Sequence, residues 1–474
     1  MEFLLNHQPV NYNGDPDVPL LRYLRDHCGI VSAKDGCAPQ AACGSCTVQL
    51  NEKAVLSCVI PMKKVAAGRV TTIEGLGEYR QRVFANAFVN AGGVQCGFCT
   101  PGFVMQVNAL TGQNADPSRA EIAKALTPNL CRCTGYTKIV DAVHIAAKAI
   151  REETEIPAKE TPGHIGMAHP KYAASDLVLG KHQYTDDIRL EGMLYGALKF
   201  SEHPRARVLC IDASAVRALP GVLRVLTAED VPGERMLGLI RKDWPLMIGE
   251  GEITRYIGDV LAGVVAESEK TAREAVGLIK VGYEVLPAVT NPHLAMQVGC
   301  AVVHPGSDGN VLSVSRTGRG DLTGAEEEST FISRGTYETQ RIEHGYMEPE
   351  CAVAYPSEDG IEVLSQGQGV YEDRSQIAAL LALPEERVRV ILVPNGGGFG
   401  GKEDLSVQGH AALMAHALQA PVKVRLNRAE SINMHPKRHP VWMDYGVGCD
   451  SRGKLTFVQV RFVGDTGAYA SVGM

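Results

Sequence analysis

The sequence predicts an α+β protein of several domains, and three observations carry that prediction. At 474 residues the chain is too long for one ordinary hydrophobic core. Its apolar period changes along its length: strand-like alternation at the start, helical spacing from about residue 78, then mixed strands and helices. Eight of its thirteen cysteines crowd between Cys37 and Cys133, which marks off the first third chemically.

The elements follow in order. Residues 1–76 form a first domain. EFLLNHQPVNY alternates as a strand, turns at Asn13-Gly14-Asp15 and leads into a helix near Pro19–Asp26. A loop from Lys34 to Cys46 precedes the strand TVQL, a turn at Asn51-Glu52-Lys53 and the strand AVLSCVI. Over residues 77–151, YRQRVFANAFVNAG, GFVMQVNALTGQ, SRAEIAKALTPN and KIVDAVHIAAKAIREE space apolar residues three or four apart and predict a four-helix domain. Pro101 suits a first helical turn, and Asn114-Ala115-Asp116-Pro117 separates two helices. Residues 152–170 open with EETEIPAKETPGHI, charged and proline-bearing without periodicity, and read as a linker. MLYGALKFSE, RVLCIDA, VLRVLTAEDV and DVLAGVVAE then build a small α/β domain over 171–295. Residues 296–474 continue with IEVLSQGQG, a helix about Arg374–Leu383, RVRVILVP, a glycine loop and a helix about Ser406–Leu418.

Composition narrows the function classes. A net charge of −7 gives no electrostatic reason to expect nucleic acid. No run of about 18 apolar residues predicts a membrane span. The N-terminus MEFLLNHQPVNYNGD has neither a basic n-region nor a twin arginine, so a cytoplasmic location is expected. In a chain of this length such cysteine clustering points to metal rather than to a disulfide scaffold. Cys28, Cys210, Cys300, Cys351 and Cys449 are scattered, and each reads as a buried structural thiol.

The first group lies in Asp35-Gly36-Cys37-Ala38-Pro39-Gln40-Ala41-Ala42-Cys43-Gly44-Ser45-Cys46, with Cys58 one strand pair later. Three thiolates on a tight loop and a fourth from a neighbouring strand can surround a cluster of two irons, while small residues let backbone N–H groups turn toward sulfur. The plant-type ferredoxin pattern has four residues between its first two cysteines; this loop has five, an insertion expected to form a bulge. Tetrahedral zinc is the competing reading, although zinc sites usually pair their cysteines in two close knuckles. The second group is Gln95-Cys96-Gly97-Phe98-Cys99-Thr100-Pro101-Gly102 with Asn129-Leu130-Cys131-Arg132-Cys133-Thr134-Gly135-Tyr136.

QCGFCTPG followed by NLCRCTGY, after a ferredoxin-like loop, resembles the iron–sulfur portion of the molybdenum hydroxylases, the family of xanthine dehydrogenases and aldehyde oxidoreductases. The resemblance implies a β-grasp ferredoxin domain at 1–76, a four-helix domain at 77–151 holding the cluster nearer molybdenum, and α/β molybdopterin-binding domains beyond. It implies one [2Fe–2S] cluster on Cys37, Cys43, Cys46 and Cys58, a second on Cys96, Cys99, Cys131 and Cys133, and an approach of Gln95 and Cys133 to the pterin.

Further along, Asn395-Gly396-Gly397-Gly398-Phe399-Gly400-Gly401-Lys402-Glu403 fits neither Gly-x-Gly-x-x-Gly nor Walker A spacing. Glycines there allow close backbone approach to a ligand. The loop resembles the family's molybdopterin-binding loop, which implies that Gly398, Phe399 and Gly400 touch the cofactor. Leu364-Ser365-Gln366-Gly367-Gln368-Gly369 resembles the segment whose glutamine faces the metal ligands. Counting back from the helix selects Gln368, with Gln366 the neighbour that a slip in register would substitute. Pro204-Arg205-Ala206-Arg207, HGYMEPE (344–350) and Arg438-His439-Pro440 extend the resemblance along nearly the whole chain.

The implied reaction is hydroxylation of carbon by water, with electrons passed singly through both clusters. Glu403 is the candidate substrate-binding residue, its carboxyl placed for a purine ring; a position in the first turn of the following helix is its structural alternative. A purine or other N-heterocycle is therefore expected as the small-molecule substrate, with an aldehyde the alternative. No FAD domain is expected between the iron–sulfur and molybdenum parts, so electrons would leave to a separate flavoprotein subunit or carrier. The resemblance also places the family's base glutamate after Met474, so no catalytic residue is named here, and a second chain completing the molybdenum domain is expected, as is an inactive electron-transfer fragment if that chain is missing.

Overall fold

The computed structural model describes residues 1–160 and 163–473; Thr161 and Pro162 of the expected linker, and Met474, lie outside the described residues. The N-terminal sheet has five strands in the order Gln8–Asn11, Glu2–Leu5, Arg69–Thr71, Thr47–Leu50, Lys53–Leu56. Glu2–Leu5 runs parallel to Arg69–Thr71, and the remaining pairs are antiparallel. The single strand expected from EFLLNHQPVNY is instead a hairpin. Asn6 and His7 take φ +49° and +70°, the left-handed pair of a tight hairpin turn that asparagine tolerates. AVLSCVI is also shorter as a strand than expected. It ends at Leu56, because Ser57 turns its N–H and its hydroxyl onto the Cys46 carbonyl (3.3 and 2.7 Å), and Cys58 sits in the resulting turn.

The helices Glu78–Ala91, Thr100–Gln113, Arg119–Ala125 and Thr137–Glu152 stand where the apolar period places them. Local chemistry sets their ends. Gly92, at φ +70°, closes the first against the Phe88 and Val89 carbonyls, and a Ser118–Glu121 capping box opens the third. Their core is continuous with Leu177, Val178 and Tyr184 after the linker and with Met347 much further on, so the helical region is docked rather than tethered.

A seven-stranded sheet dominates the rest, in the order Val388–Leu392, Gly360–Ser365, Cys351–Ser357, Val422–Arg425, Leu194–Phe200, Val260–Ala266, Val222–Thr227. It crosses the boundary read at residue 295. Val422–Arg425 pairs in parallel with Leu194–Phe200, Val422 opposite Leu194, so the two stretches share one sheet. Helices Val370–Leu381 and Val407–Leu418 pack on it through Ile377, Leu380, Leu413 and Met414. A separate three-stranded antiparallel sheet, Phe331–Thr339, Val441–Cys449 and Leu455–Gly464, lies near the C-terminus. Among the described residues no helix is long and apolar enough to cross a membrane.

A buried ion network joins the first sheet to the large one. Arg25 reaches Asp186 and Asp187 at 2.9 and 2.8 Å, Lys34 reaches Asp187 at 2.5 Å, and Arg425 reaches Asp35 at 3.1 Å. Lys34 and Asp35 immediately precede the first cysteine loop, so these pairs fix that loop against the remainder of the chain.

Candidate functional site

The cysteines come together as two quartets, the first as two pairs and the second as a continuous row. All eight thiols are free: Cys37 is in hydrogen-bond contact with Cys43 and Cys46 with Cys58 in the first; in the second Cys99 contacts Cys131, Cys131 contacts Cys133, and the sulfurs of Cys133 and Cys96 are 3.5 Å apart. Among the described residues no three His, Cys, Asp or Glu side chains stand close enough together for one metal ion. Two irons would take four thiolates, two to each.

Local backbone makes the sulfurs acceptors. The inserted residue of the first loop is taken up by left-handed turns at Ala38 and Ala41 (φ +49° and +56°). The Cys43 thiol and then the N–H groups of Ala42, Cys43 and Gln40 lower the Cys37 thiol to about 5, against the opposing effect of burial. Cys131 is lowered to about 2, first by Cys133 and Cys99 and then by the Thr134 hydroxyl and N–H, which approach its sulfur at 3.2 and 3.5 Å. Thiolate is the ligating form; Cys37, Cys96 and Cys131 are drawn toward it, while Cys43, Cys46, Cys99 and Cys133, each donating to a neighbouring sulfur, are pushed the other way.

The quartets adjoin. Leu130, beside Cys131, donates its N–H to the Cys43 carbonyl at 2.8 Å, and Asn129 donates to the Gly44 carbonyl at 2.9 Å. Gly44 takes φ +68°, and a Cβ there would strike the Pro128 carbonyl, so glycine is needed for the loops to meet. Phe98, between Cys96 and Cys99, is buried against Gly36 of the first loop and Gly396 of the glycine loop. Arg132 donates to the His344 carbonyl at 2.8 Å, and Arg428 to the carbonyls of Gly36 and Met347 at 2.7 and 2.8 Å.

In the glycine loop, Gly397, Phe399 and Gly400 have φ of +100°, +56° and +86°. A phenylalanine held there is strained, and its ring is half exposed. Gln368 lies across the loop, its Oε1 accepting from the N–H groups of Gly400 (3.0 Å) and Lys402 (3.4 Å). A Cβ at Gly398 would collide with that oxygen. Gln366 instead points inward and is buried, donating to the Pro349 and Cys351 carbonyls. The structure thus places Gln368, not Gln366, on the loop's open side. Gln95 is exposed and donates to the Cys133 carbonyl at 3.1 Å. Glu403 is exposed on the loop's rim between the buried Lys402 and Asp404, and the helix starts only at Val407, so it is not in a first helical turn.

Sequence reasoning missed the support beneath this loop. Lys402 is 3% exposed; its ammonium donates to the Glu348 carbonyl at 2.9 Å and to Gln366 Oε1, and stands 4.5 Å from the Tyr346 ring centre. Glu348 accepts from the Gly396 N–H at 2.7 Å through Oε2, and its Oε1 has no partner among the described residues. Burial raises the Glu348 carboxyl to about 7, against the attraction of Lys402. Burial works against charge on His435, but its bond to Glu343 at 2.8 Å and the nearby Glu350 outweigh that and raise its pKa. The one signal available was an acidic HGYMEPE and a lysine inside a glycine loop.

Asp373, on the helix after Gln368, accepts from the Ser365 hydroxyl at 2.8 Å. Burial raises its carboxyl from 3.8 to about 7. Between those values the folded chain holds a proton that the unfolded chain has lost, so this group's contribution to stability falls as pH rises. Asp373→Asn is expected to flatten that part of the curve of thermal midpoint against pH, and a slope unchanged between pH 4 and 7 would contradict the assignment.

With this geometry in place, comparison with known proteins is decisive. Residues 72–144 match the [2Fe-2S] binding domain, 179–287 the a/b hammerhead domain of aldehyde oxidase and xanthine dehydrogenase, and 303–474 the molybdopterin cofactor-binding domain. The nicotinate dehydrogenase large molybdopterin subunit of Eubacterium barkeri is 36% identical over 65% of this chain and 72% of its own. The chain belongs to the aldehyde oxidase and xanthine dehydrogenase family of molybdenum hydroxylases. Another family member, the aldehyde oxidoreductase of Megalodesulfovibrio gigas, is 34% identical over 97% of this chain. The solved aldehyde oxidoreductase from Desulfovibrio gigas superposes with a TM-score of 0.92 at 30% identity, covering 98% of this chain. The chain spans about half the length of these aldehyde oxidoreductases, 53% and 54%.

Proposed function

We propose that this chain is the iron–sulfur and first molybdenum portion of a hydroxylase that oxidises a purine or related N-heterocycle. Cys37, Cys43, Cys46 and Cys58 would hold one [2Fe–2S] cluster, and Cys96, Cys99, Cys131 and Cys133 a second. The paired thiols and their N–H donors support this assignment against a single zinc ion. Gln368, Phe399 and the backbone of Gly398 and Gly400 would line the molybdopterin. The left-handed turns at Gly397, Phe399 and Gly400, with Gln368 lying against Gly398, support this reading, because they leave backbone at the loop's exposed side open to close approach by a ligand. When bound, that group supplies oxidation at carbon with an oxygen taken from water.

The protein's own contribution is orientation and insulation. Gln368 is held through its Oε1 by two N–H donors, which leaves its Nε2 hydrogens to donate at the open side. Phe98 and Tyr184 close the space between the glycine loop and the second quartet. The Cys43–Leu130 bond links the two quartets along the proposed route of electrons to an external flavoprotein or carrier.

The observation that carries the substrate reading is Glu403, exposed and without a hydrogen-bond partner among the described residues, on the rim that also holds Gln368 and Phe399. Glu403→Ala is expected to lower kcat/KM for hypoxanthine about ten- to hundredfold, the loss of a charged hydrogen bond. An aldehyde is the second reading, favoured by the match to aldehyde oxidoreductases over both iron–sulfur regions. Dye reduction by cofactor-replete protein with hypoxanthine and with a simple aldehyde separates them. Aldehyde turnover indifferent to Glu403→Ala, with no purine turnover, would select the second.

A further inference from the structure

Residues 174–187 form a strap across the loop that carries Cys96 and Cys99. The short helix Ala174–Val178 lays Leu177 over Gly97, where a Cβ would stand 2.7 Å from the Leu177 side chain. Gly180 seats the strap against Ser32 and Pro101. Tyr184 follows, 2% exposed, with its ring edge-on to Phe98 at 5.2 Å. Its hydroxyl donates to the Cys96 carbonyl at 2.6 Å. The buried ion network aims this side chain. Tyr184 donates its N–H to Asp187 at 2.9 Å, Arg25 and Lys34 hold Asp187, and the Lys34 ammonium stands 4.8 Å from the Tyr184 ring centre.

Packing alone does not call for a tyrosine here. A phenylalanine would present the same ring edge to Phe98 and would spare the core a hydroxyl that is costly to bury unless bonded. The bond that justifies the hydroxyl ends on a residue of the second quartet. Gln95 makes the same kind of bond to the Cys133 carbonyl at 3.1 Å, but Gln95 is exposed, so water can take its place. Tyr184 lies where water does not reach.

We propose that Tyr184 is a positioning residue for the second quartet, and that its hydroxyl raises the reduction potential of the [2Fe–2S] cluster there. The proposal rests on the assignment of that cluster to Cys96, Cys99, Cys131 and Cys133. One electron added to the quartet adds one negative charge, and no proton need move with it. The O–H dipole turns its positive end toward Cys96, and the core around it keeps water from screening that field. Hydrogen bonding and solvent exposure are among the levers that set cluster potentials. The hydroxyl therefore favours the reduced form.

The test is Tyr184→Phe in the whole chain, loaded with iron and sulfide and titrated under electron paramagnetic resonance. The second cluster is the signal that Cys131→Ser lacks. At a fixed potential its ratio of reduced to oxidised form should fall about threefold, the worth of one modest hydrogen bond. Iron content and the first cluster's ratio should not change. A ring-fluorinated tyrosine at the same position, a stronger donor, should move the ratio the other way. An unchanged ratio in Tyr184→Phe, an equal shift in both clusters, or no opposite shift with the fluorinated ring overturns the role of the hydroxyl and leaves the clusters standing. Loss of iron from Tyr184→Phe also overturns it, since the bond would then be structural. A parent chain without two iron–sulfur signals overturns the cluster assignment itself.

Discussion

Replacing Cys131 with serine is expected to halve the iron and sulfide bound per chain and to remove one of two cluster signals in low-temperature electron paramagnetic resonance. Cys131 is the thiol most strongly held as thiolate in the second quartet, and it pairs with Cys99 at the mouth of the helix Thr100–Gln113. Both sulfurs lie in the core that joins the helical region to Met347. Without that thiol the proposed cluster would be lost and the loop 129–136 would have nothing to close around, so the helical region should also unfold at lower temperature. Cys210→Ser provides the control, because that thiol is exposed and remote from either quartet. Full iron retention in Cys131→Ser, or zinc in place of iron in the parent protein, would remove the basis for both clusters.

Lys402→Met is expected to cost about 3–5 kcal/mol of stability, the usual penalty for leaving a buried charge without its partner. Glu348 would lose its cation, Gln366 Oε1 its donor, and the loop its anchor to the Glu348 carbonyl. The effect should depend on pH with a definite sign. Glu348 titrates near 7 in the folded chain and near 4.5 unfolded, so folding favours its protonated form, and the variant should be less impaired at pH 5 than at pH 8. Adding Glu348→Gln should restore part of the loss, since two neutral groups replace one stranded charge. Thermal unfolding at both pH values reads these effects, and equal losses at pH 5 and 8 would refute the buried-pair account.

Motif-bearing segments were legible because their chemistry is local. The cysteine spacings, the four helical periods and the glycine loop each state their structure in short stretches of sequence. Gln368 could be chosen over Gln366 by counting from the helix, and the outward turn of one side chain with the inward turn of the other follows from that register. The support beneath the site was not legible, because Lys402 meets Glu348 across 54 residues and His435 meets Glu343 across 92. Buried charge pairs have no periodicity to announce them. The hairpin at Asn6-His7 was hidden for the opposite reason: the strand-like alternation runs through a turn that only left-handed φ values reveal. The boundary near residue 295 follows composition, and composition is blind to which strand another will pair with.

That pairing bears on how the chain reaches its native state. Leu194 must find Val422 before the central sheet can close, so the strands from Leu194 to Ala266 wait with a bare edge until more than half of the following sequence has left the ribosome. Chaperone protection of that edge, and not cofactor supply alone, would then govern the yield of soluble protein.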